Sequence, residues 1–111
     1  MNHDAHTLRE FDAALTSLNT YLLQMAYKAQ SALDLAVAGL LQQDEDPANQ
    51  AIADDEELDE LEMAVDREGM HLLAFFSPVA SDLRVVLASI RLSAIYERMG
   101  DESCLLYTSP S

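Results

Sequence analysis

Ten apolar or small residues, Leu8, Phe11, Leu15, Leu18, Leu22, Met25, Ala29, Ala32, Ala36 and Gly39, recur in alternating steps of three and four. Only a helix puts that spacing on one side of the chain, and its mean of about 3.5 residues predicts packing at a shallow angle against neighbours of similar length. The stripe predicts a first helix over residues 5–43, with Leu33, Val37, Leu40 and Leu41 widening it toward the end. A helix with such a seam is not stable alone, so the rest of the chain must cover it.

The rest of the chain suits that task. The 111 residues hold only three Gly and three Pro, so long elements with few connections are expected. Asp46 followed by Pro47 reads as an N-cap and first helical position, and predicts a second helix over 47–76. Ser77-Pro78 repeats that signal and predicts a third helix over 78–103. Short connections make consecutive helices antiparallel, so the expected fold is all-α, an up-down-up three-helix bundle in one domain over residues 1–103. Residues 104–111, Cys-Leu-Leu-Tyr-Thr-Ser-Pro-Ser, lose the charge and the period of the preceding helix. They read as a tail foreign to the rest.

Charge narrows the function. Twenty acidic residues against six basic ones give a net charge of −14. That excludes a nucleic-acid binder, which needs a basic face for phosphate, and it disfavours an anionic membrane surface. It suits cation binding or a basic protein partner. The opening MNHDAHTLREFD has neither a positive n-region nor an apolar h-region, and no uncharged run approaches the ~20 residues of a membrane span. The single cysteine, Cys104, forms no internal disulfide. A cytoplasmic protein without direct membrane insertion is expected.

The carboxylates are not evenly spread. One face of the second helix reads Asp55, Asp59, Glu62, Asp66, Gly69, Leu73, Phe76, acidic first and apolar later. One face of the third reads Leu83, Leu87, Ile90, Ala94, Glu97, Asp101, apolar first and acidic later. Glu97 and Asp101 thus continue a stripe that starts as core. Asp59 lies 18 residues before Ser77 and Glu97 lies 20 after it; Asp55 lies 22 before and Asp101 lies 24 after. At a rise of ~1.5 Å per residue, each pair differs in height by only ~3 Å across an antiparallel turn. Four carboxylates at one level are stable at neutral pH only if some hold protons or cations sit between them. Asp55, Asp59, Glu97 and Asp101 are therefore the candidate metal ligands, and hard cations suit an all-oxygen set. From the residues alone, a hydrated acidic face stays open beside the metal site.

Other residue types read more plainly. Arg84, Arg91 and Arg98 repeat every seven residues and suggest an exposed face, with Arg84 close enough to Asp82 for an ion pair. His71 fits the edge of the core, His3 and His6 lie in a terminal segment, and the methionines read as core filler. No nucleophile elbow, glycine-rich phosphate loop or HExxH motif occurs, so no enzyme is expected.

Three segments carry a family resemblance: Asp55-Glu-Glu-Leu-Asp59-Glu-Leu-Glu62, Ser77-Pro-Val-Ala-Ser-Asp82-Leu-Arg84 and Glu97-Arg-Met-Gly-Asp101. They resemble the first three-helix repeat of the PhoU family of phosphate-uptake regulators, and Leu8-Arg-Glu-Phe11 with Leu15 and Leu18 resembles its first helix. The resemblance covers about residues 5–103, so one repeat of a two-repeat family is expected. It implies a cytoplasmic regulator of phosphate uptake and phosphate-starvation signalling. It implies docking on the phosphate ABC transporter ATPase and on the phosphate sensor kinase, with the full-length protein a homodimer. It implies an iron or other divalent metal cluster at Asp55, Asp59, Glu97 and Asp101, with Glu62, Asp82 and Arg84 as supporting residues. Two other readings stay open: a metal-binding carboxylate bundle of the ferritin-like type, and a structural bundle without a ligand.

Overall fold

The computed structural model describes residues 2–42 and 48–108, with side chains over 8–41 and 55–106. Three helices account for nearly all of it: α1, Asn2–Gln42; α2, Ala48–Phe76; and α3, Ala80–Thr108. Every pair of helices packs together, and the molecule is a rod of 63 × 20 × 16 Å. The fold is the expected all-α three-helix bundle, and no strand occurs among the described residues.

The first stripe behaves as its spacing requires. Leu18, Leu22, Met25, Ala29, Ala32 and Ala36 are buried in succession. Leu8 is exposed, because α1 has 41 residues against 29 in each partner helix. The Phe11 and Phe76 rings meet edge-on with centroids 5.4 Å apart, which marks where α2 ends beside α1. Residues before Phe11 extend past that level. Leu33, Val37, Leu40 and Leu41 do not widen the core but are exposed, since two neighbours cover only one side of a helix.

The core lines of α2 and α3 are rotated slightly from the expected faces. On α2 the covered line runs Asp55, Leu58, Glu62, Val65, Gly69, Leu72, Phe76. Asp59 and Asp66 fall outside it and are exposed. On α3 it runs Val86, Ile90, Ser93, Glu97, Gly100, Cys104, so Leu87 and Ala94 are exposed while Glu97 keeps its core phase. Buried Ser89, Ser93 and Ser103 donate their hydroxyls to the carbonyls of Val85, Ile90 and Met99, each at 2.7 Å. Such bonding within the helix lets small polar residues line a core without orphaned groups. Met25 fills the core, but Met63 and Met70 are exposed, so the methionines are not uniformly filler.

The helix ends differ from the sequence reading at two places. Ser77 does not cap α3: its φ of 42° is left-handed, the conformation that closes α2 after Phe76. Pro78 accordingly lies before the helix, and Val79 accepts the first α3 backbone bond, from Leu83 N at 2.8 Å. Asp82 then sits in the first turn, where it favours the positive end of the helix dipole. At the other end α3 runs past Ser103 to Thr108, because Cys104-Leu-Leu-Tyr-Thr108 contains no helix breaker. Asp46 and Pro47 lie outside the described residues.

Candidate metal centre

The acidic ends of α2 and α3 lie side by side because the helices run antiparallel from the turn at Ser77. Two glycines on the covered lines set how closely they approach. A Cβ at Gly69 would stand 2.8 Å from Ile90 Cδ1. A Cβ at Gly100 would stand 2.3 Å from Leu58 Cδ1 and 3.8 Å from Asp55 Oδ1. A larger residue at position 100 would have to displace the buried Leu58 side chain, beside the carboxylates. A mid-helix glycine costs about 1 kcal/mol against alanine, so its presence at a core position is itself a signal of close approach.

Five carboxylates gather there in two overlapping groups. One is Asp55, Glu97 and Asp101, all half-buried; the other is Asp59, Glu62 and Glu97, of which Asp59 is exposed. Within each group one oxygen per residue lies within 4.8 Å of the others. Glu97 is common to both. Asp82 and Arg84 lie at the opposite end of α3, about 20 Å away along the helix, and take no part. Arg84 makes no ion pair with Asp82; its side chain is exposed with no partner among the described residues.

The electrostatics are those of a cluster short of positive charge. Burial, hydrogen bonding to Asp59 and Asp101, and repulsion by Asp101 and Glu62 push the Glu97 carboxyl up to about 8. Burial, a hydrogen bond with Asp101 and repulsion by Asp101, Asp59 and Glu56 raise Asp55 to about 6. Burial raises Glu62 as well, aided by Asp66, Asp59 and Asp101. A hydrogen bond between two carboxyl groups requires a proton on one of them, so without cations the centre is held together by retained protons. Lys28 pairs with Glu57 outside the cluster and supplies no charge to it.

The residues fit a hard cation. Asp55 Oδ1 is fully shielded and accepts no hydrogen bond among the described residues, a costly state for a carboxylate oxygen unless a cation meets it. The donor set is all oxygen, on facing helices of a bundle, with Glu97 common to both groups. The ferritin-like pattern also needs histidine, and the one histidine with a described side chain, His71, lies far down α2, its ring tilted against Phe75 and edge-on to Phe76 with centroids 4.6 and 6.0 Å away. His3 and His6 lie outside the described side chains. No described helix is long and apolar enough to cross a membrane.

Comparison with known proteins gives one consistent family. The PhoU domain model matches residues 22–106. A phosphate-specific transport system accessory protein PhoU homolog of Zymomonas mobilis is 33% identical over 96 residues, 86% of this chain and 40% of that protein. The homolog of Xylella fastidiosa is 33% identical over 100 residues, 90% of this chain and 41% of its own length. The phosphate-specific transport system accessory protein PhoU of Escherichia coli is 32% identical over 101 residues, 91% of this chain and 42% of its own length. The chain thus spans about two fifths of the length of the curated relatives it matches. No solved structure gives a significant match.

Proposed function

This chain belongs to the PhoU family, and we propose from that premise that it is part of a non-enzymatic regulator of phosphate transport. The observation that supports this reading is the continuous family match over residues 22–106, which includes the whole acidic end of the bundle. The unit we assign is one three-helix repeat, residues 1–103; residues 104–111 differ from it in composition, although α3 runs unbroken to Thr108. The regulator acts in the cytoplasm by docking on the phosphate ABC transporter ATPase and on the phosphate sensor kinase, restraining uptake and the starvation response when phosphate is plentiful. The full-length protein is a homodimer.

Asp55, Asp59, Glu62, Glu97 and Asp101 hold a small cluster of iron or other divalent cations in this reading. There the carboxylates of α2 and α3 would share the positive charge of a cation in place of the protons they otherwise retain. Their role is structural: they fix the docking surface instead of carrying out chemistry.

Deleting the gene should derepress phosphate-starvation genes in phosphate-rich medium, and unchanged expression would sink the regulatory reading. Elemental analysis of the purified chain tests the metal separately. Stoichiometric metal that is reduced in Asp59→Ala and lost in Glu97→Ala supports the cluster. Absent metal, with stability unchanged in both variants, supports a hydrated acidic face.

A further inference from the structure

The outward face of α3 combines an apolar stripe with a row of basic side chains. Val85, Ala88, Leu92, Ile95 and Met99 follow one another in steps of three and four along it. Val85, Leu92 and Ile95 are 49%, 37% and 56% exposed, although each is a large apolar side chain. The stripe is a second heptad seam, turned away from the bundle that the first seam builds. Arg84, Arg91 and Arg98 each precede one residue of this seam, Val85, Leu92 and Met99. In heptad terms the seam residues occupy the two core positions and the arginines the flanking position whose charge selects a partner helix. The first two arginines, with Leu87, Ala88, Leu92 and Ile95, line a shallow groove of about 510 Å³.

The three guanidinium groups have no ion-pair or hydrogen-bond partner among the described residues. That is notable in a chain with twenty carboxylates and six basic residues. Half of the basic side chains are thus collected on one face and left unpaired, with only Glu102 closing the row at its C-terminal end.

We propose that the outward face of α3 docks an amphipathic helix of a protein partner whose apolar heptad seam is flanked by Asp or Glu. Spacing, exposure and charge each select one property of that partner. The three-four spacing of the seam calls for a helix lying along α3. The exposed apolar side chains call for an apolar counterpart. The unpaired arginines call for carboxylates and set the register, since they recur once per heptad over about 21 Å. The chain as a whole favours basic partners, so this face is a local reversal of sign that discriminates among helices. The assignment deepens the docking reading above and rests on it only in supposing a protein partner.

A synthetic coiled-coil peptide of about three heptads, with Ile and Leu at its core positions and Glu flanking them, tests the face directly. The 111-residue chain should bind this peptide, more weakly at high salt, and should not bind the same peptide with Lys flanks. Arg91→Glu should weaken binding about tenfold or more while leaving the thermal melt unchanged. Arg67→Glu, an equal charge change at an exposed site on α2, should leave binding intact. Failure to bind the acidic peptide, equal binding to both peptides, or equal damage from Arg67→Glu overturns the proposal. So does self-association abolished by Arg91→Glu, which makes a second copy the occupant, or retention of the chain on phosphatidylglycerol vesicles through the same residue. Peptide binding together with unchanged starvation-gene expression after deletion would remove the regulatory reading and leave this one standing.

Discussion

Leu58 fills the space that a side chain at Gly100 would occupy: a Cβ there would stand 2.3 Å from Leu58 Cδ1, and Leu58 is fully buried. The space that Gly100 leaves to Leu58 therefore lies beside the acidic centre. Alanine at position 100 gains about 1 kcal/mol of helix propensity, but overpacking costs about 1–3 kcal/mol. Gly100→Ala should destabilise the chain by about 1 kcal/mol in urea titration. In a Leu58→Ala background the clash is gone, so the same change should become stabilising by about 1 kcal/mol. The reversal of sign is the test; a Gly100→Ala effect of the same sign in both backgrounds would show that the two residues do not share this space.

Two carboxylate groups that share Glu97 make a stoichiometric prediction. The cluster should hold two cations per chain, with Glu97 bridging. Glu97→Gln should remove both, whereas Asp59→Asn should remove one and leave the ion held by Asp55, Glu97 and Asp101. Elemental analysis counts the ions, and melting in excess metal reads the linkage. Free metal at a hundred times its dissociation constant stabilises by about 2.7 kcal/mol, and that gain should vanish in Glu97→Gln. Equal loss in the two variants would mean a single site.

Removing metal exposes the proton chemistry of the same residues. Glu97 is raised from 4.5 to about 8 and Asp55 from 3.8 to about 6. Between those limits the folded chain holds protons that the unfolded chain has released. Their contribution to stability is fully present below the ordinary carboxylate range and is lost as pH rises through about 6 and then about 8. In chelator, the melting temperature should therefore fall from about pH 5 to about pH 8. Glu97→Gln stays neutral throughout, so it should flatten the upper part of this slope and melt above the parent at about pH 8. Melting curves that rise over this interval would contradict the protonated centre.

Much of the bundle was legible because its signals are local and periodic. The α1 stripe from Leu18 to Ala36 is buried as its spacing demands, and counting from Ser77 put the acidic segments of α2 and α3 at one level. The misreadings came where phase or geometry decides. Asp59 shares a helix face with Asp55 yet is exposed, because the covered line steps from Asp55 to Leu58 and on to Glu62. A rotation of one residue in a helix turns it by about 100°, which patterning by hydrophobicity alone does not resolve when half the candidates are acidic. Leu40 and Leu41 read as core because they are leucines, but both are exposed among the described residues. The role of Gly100 depends on a neighbour more than forty residues away in sequence, so spacing within α3 could not reveal it.

The turn between α2 and α3 carries the last prediction. Ser77 has a φ of 42°, in the left-handed region where a Cβ crowds the backbone and glycine does not. Relieving that strain gains about 1–2 kcal/mol, and the greater freedom of glycine in the unfolded chain returns about 0.5–1 kcal/mol. Ser77→Gly should therefore stabilise the chain by about 0.5–1 kcal/mol, a rise of several degrees in a chain of this size. Ser77→Val should act in the opposite direction, because a β-branched side chain is the least tolerant of this conformation. Were Ser77 capping α3 through its hydroxyl, Ser77→Gly would cost a few tenths of a kcal/mol instead. The direction of the shift in melting temperature thus distinguishes a residue that closes α2 from one that opens α3.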